Sequence, residues 1–117
     1  MTTKNWGFSM LETYKKEIVQ HLIRNLLDIQ LLRVIQTQPT WGYQIKKQVE
    51  TDFNIKLRHG ILYPTLNALE KKGLLKSKKQ QKDGRSRKVY TITQDGQTYL
   101  DAYYQILQSQ LSSSEKS

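Results

Sequence analysis

The sequence predicts one mainly α-helical domain carrying a single small β-hairpin, and three observations predict it. A chain of 117 residues holds one hydrophobic core and not two. Apolar residues recur at spacings of three and four in five separate stretches, the period of a helix with one buried face. Between Leu74 and Ile92 that period gives way to β-prone residues on either side of Asp83-Gly84, a dipeptide suited to a two-residue hairpin turn.

Along the chain, residues 1–24 read as an amphipathic extension, with Met10, Leu11, Tyr14, Ile18 and Leu22 on one side and Trp6 and Phe8 ahead of them. Asn25 is placed to cap a helix over 25–37. Asp28 takes its third position, Leu27, Leu31, Leu32, Val34 and Ile35 form its stripe, and Pro39 ends it. After the turn Gln38-Pro39-Thr40, a second helix runs from Gly42 to Thr51 on Ile45 and Val49, with Trp41 and Tyr43 at its entry. A third, over about 59–72, carries Leu62, Leu66 and Leu69 and stops at Gly73, a left-handed cap. Pro64 has no amide donor, so the first turn of that helix is irregular or the helix starts later. The hairpin follows, and Thr93 then caps a last helix over 94–111 that shows Leu100, Tyr103, Tyr104, Leu107 and Leu111 on one side. Residues 112–117, SSSEKS, have nothing to bury and are expected to be a disordered tail. Three short helices and a basic hairpin are the order of a winged helix-turn-helix domain, here 25–93, with a further helix at each end.

The charge is concentrated. The formal net charge is +9, and residues 71–88 hold nine cations against the single anion Asp83, so this stretch carries all but one unit of it. Charge this local marks a docking surface for an anionic partner, double-stranded DNA above all. The absence of cysteine excludes disulfides, thiolate catalysis and Cys-based metal sites and suits a cytoplasmic setting. No apolar run reaches the roughly 20 residues of a membrane span. With two histidines and no close carboxylate pair beyond Glu50 and Asp52, nothing assembles an enzyme centre, a metal site or a cofactor site. Apolar residues make up 37%, below the roughly 45–50% of typical domains. Both terminal helices are therefore expected to bury their stripes against a second copy through Met10, Leu11, Tyr14, Ile18, Leu100, Tyr103, Tyr104, Leu107 and Leu111.

Three stretches together resemble the PadR family of transcriptional regulators. They are Arg24 through Ile35 to Pro39-Thr40-Trp41-Gly42-Tyr43-Gln44-Ile45; Gly60-Ile61-Leu62-Tyr63-Pro64-Thr65-Leu66 with Leu69-Glu70 and Gly73-Leu74-Leu75; and Gly84-Arg85-Ser86-Arg87-Lys88-Val89-Tyr90 with Thr93 and Gly96. The likeness covers about residues 24 to 107. It implies a dimeric winged-helix repressor of palindromic operators, with the last helix in the dimer contact and, in some members, a response to small aromatic or hydrophobic effectors. The chain departs from the pattern in offering Arg58 and His59 where members often place Ser or Thr at the start of the third helix, and in a short C-terminal helix.

In helix-turn-helix docking the third helix enters the major groove. That nominates Arg58, His59, Tyr63 and Asn67, with Thr65 as a phosphate contact and Tyr63 divided between core packing and a phosphate. Lys82, Arg85, Arg87 and Lys88 lie near the hairpin tip, where a ribbon reaches phosphates or the minor groove. Gln44 and Lys47 sit on the second helix, for phosphate or plain solvent. The rival reading is a non-specific architectural protein that holds DNA or RNA by phosphate alone.

Overall fold

The computed structural model describes the backbone of residues 2–58 and 60–116 and the side chains of 9–58 and 60–113, so His59 and the Trp6 and Phe8 side chains lie outside the described residues. The order is α1 (Thr2–Thr37), β1 (Thr40–Trp41), α2 (Gly42–Phe53), α3 (Leu62–Lys71), β2 (Leu75–Lys82), β3 (Arg85–Ile92) and α4 (Gln94–Lys116). The three strands form one antiparallel sheet in the order β1-β3-β2.

The core is where the helical periods place it. Leu27, Leu31, Leu32 and Ile35 of α1, Ile45 and Val49 of α2, and Leu62, Leu66 and Leu69 of α3 close on Leu74, Leu75, Tyr90 and Leu100. Burying each such side chain contributes about 1.5–3 kcal/mol, so this convergence fixes the trihelical unit and the base of the hairpin together.

Four expectations are corrected. The extension and the first core helix run on as one helical element bent at Leu26, whose backbone leaves the helical region (φ −129°, ψ 31°). Asn25 does not cap it; its Nδ2 donates back to the His21 carbonyl (3.1 Å). Asp28 Oδ1 instead accepts the Ile29 amide (2.8 Å), three residues past the bend. Of the two readings that Pro64 left open for the third helix, the later start holds: it begins at Leu62, with Gly60 ahead of it left-handed (φ +86°). Pro64 then falls in the first turn, where no amide donor is needed. The sheet has three strands and not two, since Thr40 pairs with Tyr90 and Trp41 with Val89. The last helix extends to Lys116, taking in residues expected as a tail. Lengthening an existing helix adds a hydrogen bond per residue without a new nucleus, so polar Ser112–Ser114 continue it.

Helix ends otherwise follow their signals. Gly73 (φ +82°) closes α3, its amide meeting the Glu70 carbonyl and the Leu74 amide the Leu69 carbonyl, both at 3.0 Å. Thr93 Oγ1 accepts the Gly96 amide (3.0 Å), capping α4, and donates to the Gly73 carbonyl (2.7 Å). Gly96 has no room for a side chain, since a Cβ there would lie 2.1 Å from the Leu74 carbonyl oxygen.

Candidate nucleic-acid interface

The basic hairpin is a long two-stranded ribbon that only its base anchors. Asp83 and Gly84 both take positive φ (54° and 75°), the mirror-image turn that matches strand twist, and set Lys82 opposite Arg85. Alternation then puts Leu75, Ser77 and Tyr90 toward the core and leaves the outer half, from Lys78 to Lys82 and Arg85 to Ser86, in solvent. Two directly opposed pairs are both cations, Lys79 with Lys88 and Lys82 with Arg85. Like charges across a strand pair repel, so the ribbon carries electrostatic strain that an anion relieves.

Two devices hold this wing against the helices. Trp41, on β1, stacks under Arg87 with the guanidinium carbon 3.8 Å from its ring centroid. Glu70, on α3, accepts the Ser77 hydroxyl and faces Lys88 Nζ at 4.0 Å. That pair is partly exposed and fixes direction more than it adds stability.

Between wing and helices runs a groove of about 700 Å³ bordered by Gly42, Tyr63, Asn67, Arg85, Lys88 and Tyr90, with Trp41, Tyr43, Ser86 and Arg87 beside them. It brings together Tyr63 and Asn67 of α3 with Arg85, Arg87 and Lys88 of the wing. Tyr63 is 54% exposed and lies over the first residue of α2, where a Cβ on Gly42 would come 2.6 Å from its hydroxyl. Across the wing, Gln44, Lys82 and Arg87 border a second depression. Other nominees are elsewhere. Arg58 lines a cavity of about 180 Å³ against Val19, Ile23 and Arg24 of α1, in the loop ahead of α3 and not at its first turn. Thr65 donates to the Ile61 carbonyl of its own helix (3.0 Å), and Lys47 Nζ sits 5.5 Å from the Tyr43 ring centroid. His59 is outside the described residues.

The residues that sequence reasoning missed are Trp41, Tyr43, Glu70 and Tyr90. The signal for Trp41 was weak, since a two-residue strand has no period. Glu70 was readable as the lone carboxylate of α3, facing a Lys-rich hairpin. Burial raises the Tyr90 hydroxyl above its ordinary pKa, reinforced by the Glu70 carboxylate and by Tyr63.

The residues nominated for self-association divide. Met10, Leu11, Tyr14, Ile18 and Leu111 are exposed. Tyr103, Tyr104 and Leu107 are half-buried, and the Tyr104 hydroxyl accepts from Arg33 Nε (3.2 Å). Leu100 is a correction: it is wholly buried in the core of its own chain and leaves no surface for another. Among the described residues no helix is long and apolar enough to cross a membrane, and no cluster of metal-ligating side chains forms.

Comparison with known proteins agrees with this geometry. The chain is 33% identical over 82 residues to an uncharacterised protein of Lysinibacillus sphaericus, spanning 68% of this chain and 75% of that one. Over 41 residues it is 51% identical to the transcriptional regulator Rv3488 of Mycobacterium tuberculosis, covering 35% of this chain and 38% of the regulator. The crystal structure of a PadR family transcription regulator from Clostridium difficile R20291 superposes with a TM-score of 0.68 at 28% identity, over 76% of this chain and 94% of that one. Residues 31–102 match the transcriptional regulator PadR-like family, a span that runs from the buried leucines of α1 through α3 and the whole wing into α4. With its winged-helix fold and its cationic ribbon beside α3, the chain belongs to the PadR family of transcriptional regulators.

Proposed function

We propose that this protein is a sequence-specific regulator of transcription, a repressor, that binds double-stranded DNA as a homodimer in the cytoplasm. The carrying observation is the wing itself: opposed cation pairs on a ribbon fixed beside the exposed face of α3. In this reading α3 enters the major groove with Tyr63 and Asn67 outward, and Arg85 leads the wing onto the backbone or into the minor groove. Two copies related by a two-fold axis present two such faces, so the operator is an inverted repeat with half-sites about 34 Å apart. The exposed Met10, Leu11, Tyr14 and Ile18 supply the contact between copies. A small aromatic or hydrophobic effector at that junction would act by changing the spacing of the two faces.

Selection of bound duplexes from a random pool by the purified protein tests the reading. The expected product is a dyad-symmetric consensus preferred about a thousandfold or more over bulk DNA at physiological salt. Recovery of unrelated sequences with equal affinity would replace it with the architectural, phosphate-only alternative.

A further inference from the structure

We propose that the groove between α3 and the wing is a phosphate site. In it the Tyr63 and Tyr90 hydroxyls and the first amides of α2 donate to one phosphate group, and the wing cations neutralise it. The phosphate comes either from the DNA backbone, in which case the proposal rests on the DNA-binding reading, or from a free phosphorylated small molecule.

The starting observation is Tyr90. It is only 1% exposed, yet its hydroxyl makes no hydrogen bond to any described residue. Among the described residues no fully enclosed side-chain oxygen lacks a partner, so the Tyr90 oxygen is one that reaches the groove it borders. Groove water can satisfy that hydroxyl in the free protein, and an incoming acceptor takes the water's place. Glu70 is not that acceptor, because its carboxylate is taken by the Ser77 hydroxyl and faces Lys88. Burial keeps Tyr90 protonated in neutral solution, so it enters the groove as a donor.

The other donors converge on the same space. The Tyr63 hydroxyl, also without a hydrogen bond to any described residue, lies over Gly42 at the start of α2. That helix has 12 residues, Trp41 ahead of it provides no side-chain cap, and Gly42 and Tyr43 of its first turn border the groove. Arg85 and Lys88 stand at the rim, and Arg87 is held there by Trp41. Donors from three directions suit a tetrahedral group with several acceptor oxygens better than a planar carboxylate with two.

The test uses the full chain, a selected duplex and the variants Tyr63→Phe and Tyr90→Phe, each of which keeps its ring. Melting temperatures near that of the wild type verify folding, and Tyr63, being exposed, gives a readout if Tyr90→Phe unfolds. Each variant is expected to weaken by about tenfold the binding of whichever source supplies the phosphate, duplex or monophosphate, the loss of one hydrogen bond to a charged group. If the phosphate is the backbone's, one methylphosphonate position per half-site weakens wild-type binding by a larger factor than it weakens either variant, whose hydroxyl contact there is already gone. If it is free, no such position exists, and a deoxynucleoside 5′-monophosphate, but not the nucleoside, shifts the Tyr90 ring resonances and displaces the duplex. Variants that bind like the wild type, with resonances unmoved by the monophosphate, would overturn the site and leave DNA binding intact. A wild-type protein that binds no duplex would instead strike the DNA reading, and the monophosphate titration alone would then decide the groove.

Discussion

At single positions, close approach can decide what polarity does not. Gly96 follows the Thr93 cap by three and lies against the Leu74 backbone, which cannot yield as a side chain would. Gly96→Ala is therefore expected to destabilise the fold by about 2–3 kcal/mol, read as a lowered midpoint in chemical denaturation. The Thr-x-x-Gly spacing was visible in the sequence. The reason for its glycine was not, because the clash is with a carbonyl 22 positions earlier in the chain. Tyr90 gives a second expectation. Its folded-state pKa lies above the ordinary value of about 10, so in alkali the unfolded chain ionises first. Its contribution is fully present below about pH 10 and is lost as pH rises toward the folded value. Alkaline unfolding followed by circular dichroism should show that loss in the wild type and a flatter profile in Tyr90→Phe.

Among the elements, the helices were legible because leucines at spacings of three and four have one physical solution, a buried stripe, and Leu27, Leu31, Leu66 and Leu69 all occupy it. The hairpin was legible from its turn, since Asp83 and Gly84 tolerate the positive φ that a two-residue connection demands. What escaped was pairing at long range: β1 is two residues long, and only the folded chain shows Trp41 beside Val89 and under Arg87. The start of α3 was legible only as one of two readings that Pro64 allowed, and the left-handed Gly60 marks where the helix has not yet begun. The two interface elements should separate by experiment. Arg85→Ala on the wing is expected to weaken all duplexes alike and to reduce the salt slope by about one unit. Asn67→Ala on α3 should leave the slope unchanged and relax base preference at one position, by about 1–3 kcal/mol. A matched fall in slope for both would contradict this assignment.

For the whole molecule, the described chain extends 57 × 32 × 20 Å, far from spherical, because α1 and α4 reach beyond the trihelical core. Leu11, Tyr14 and Ile18, each more than half exposed, lie at spacings of three and four on the first part of α1. Replacing all three with lysine is expected to leave the winged-helix core folded while shifting sedimentation from dimer to monomer. Operator affinity should fall by several orders of magnitude, since one half-site then binds alone. A wild-type chain that sediments as a monomer at micromolar concentration would overturn the two-fold arrangement.

The bend at Leu26 makes the first part of α1 a lever. About 24 residues of helix are about 36 Å long, so a rotation of roughly 10° at that one backbone position swings the far end by about 6 Å. One base-pair step of B-form DNA is about 3.4 Å. In the proposed dimer, small angular adjustments at this single joint would translate into whole steps of half-site spacing, so substitutions near residue 26 are expected to change the length of the site that selection recovers.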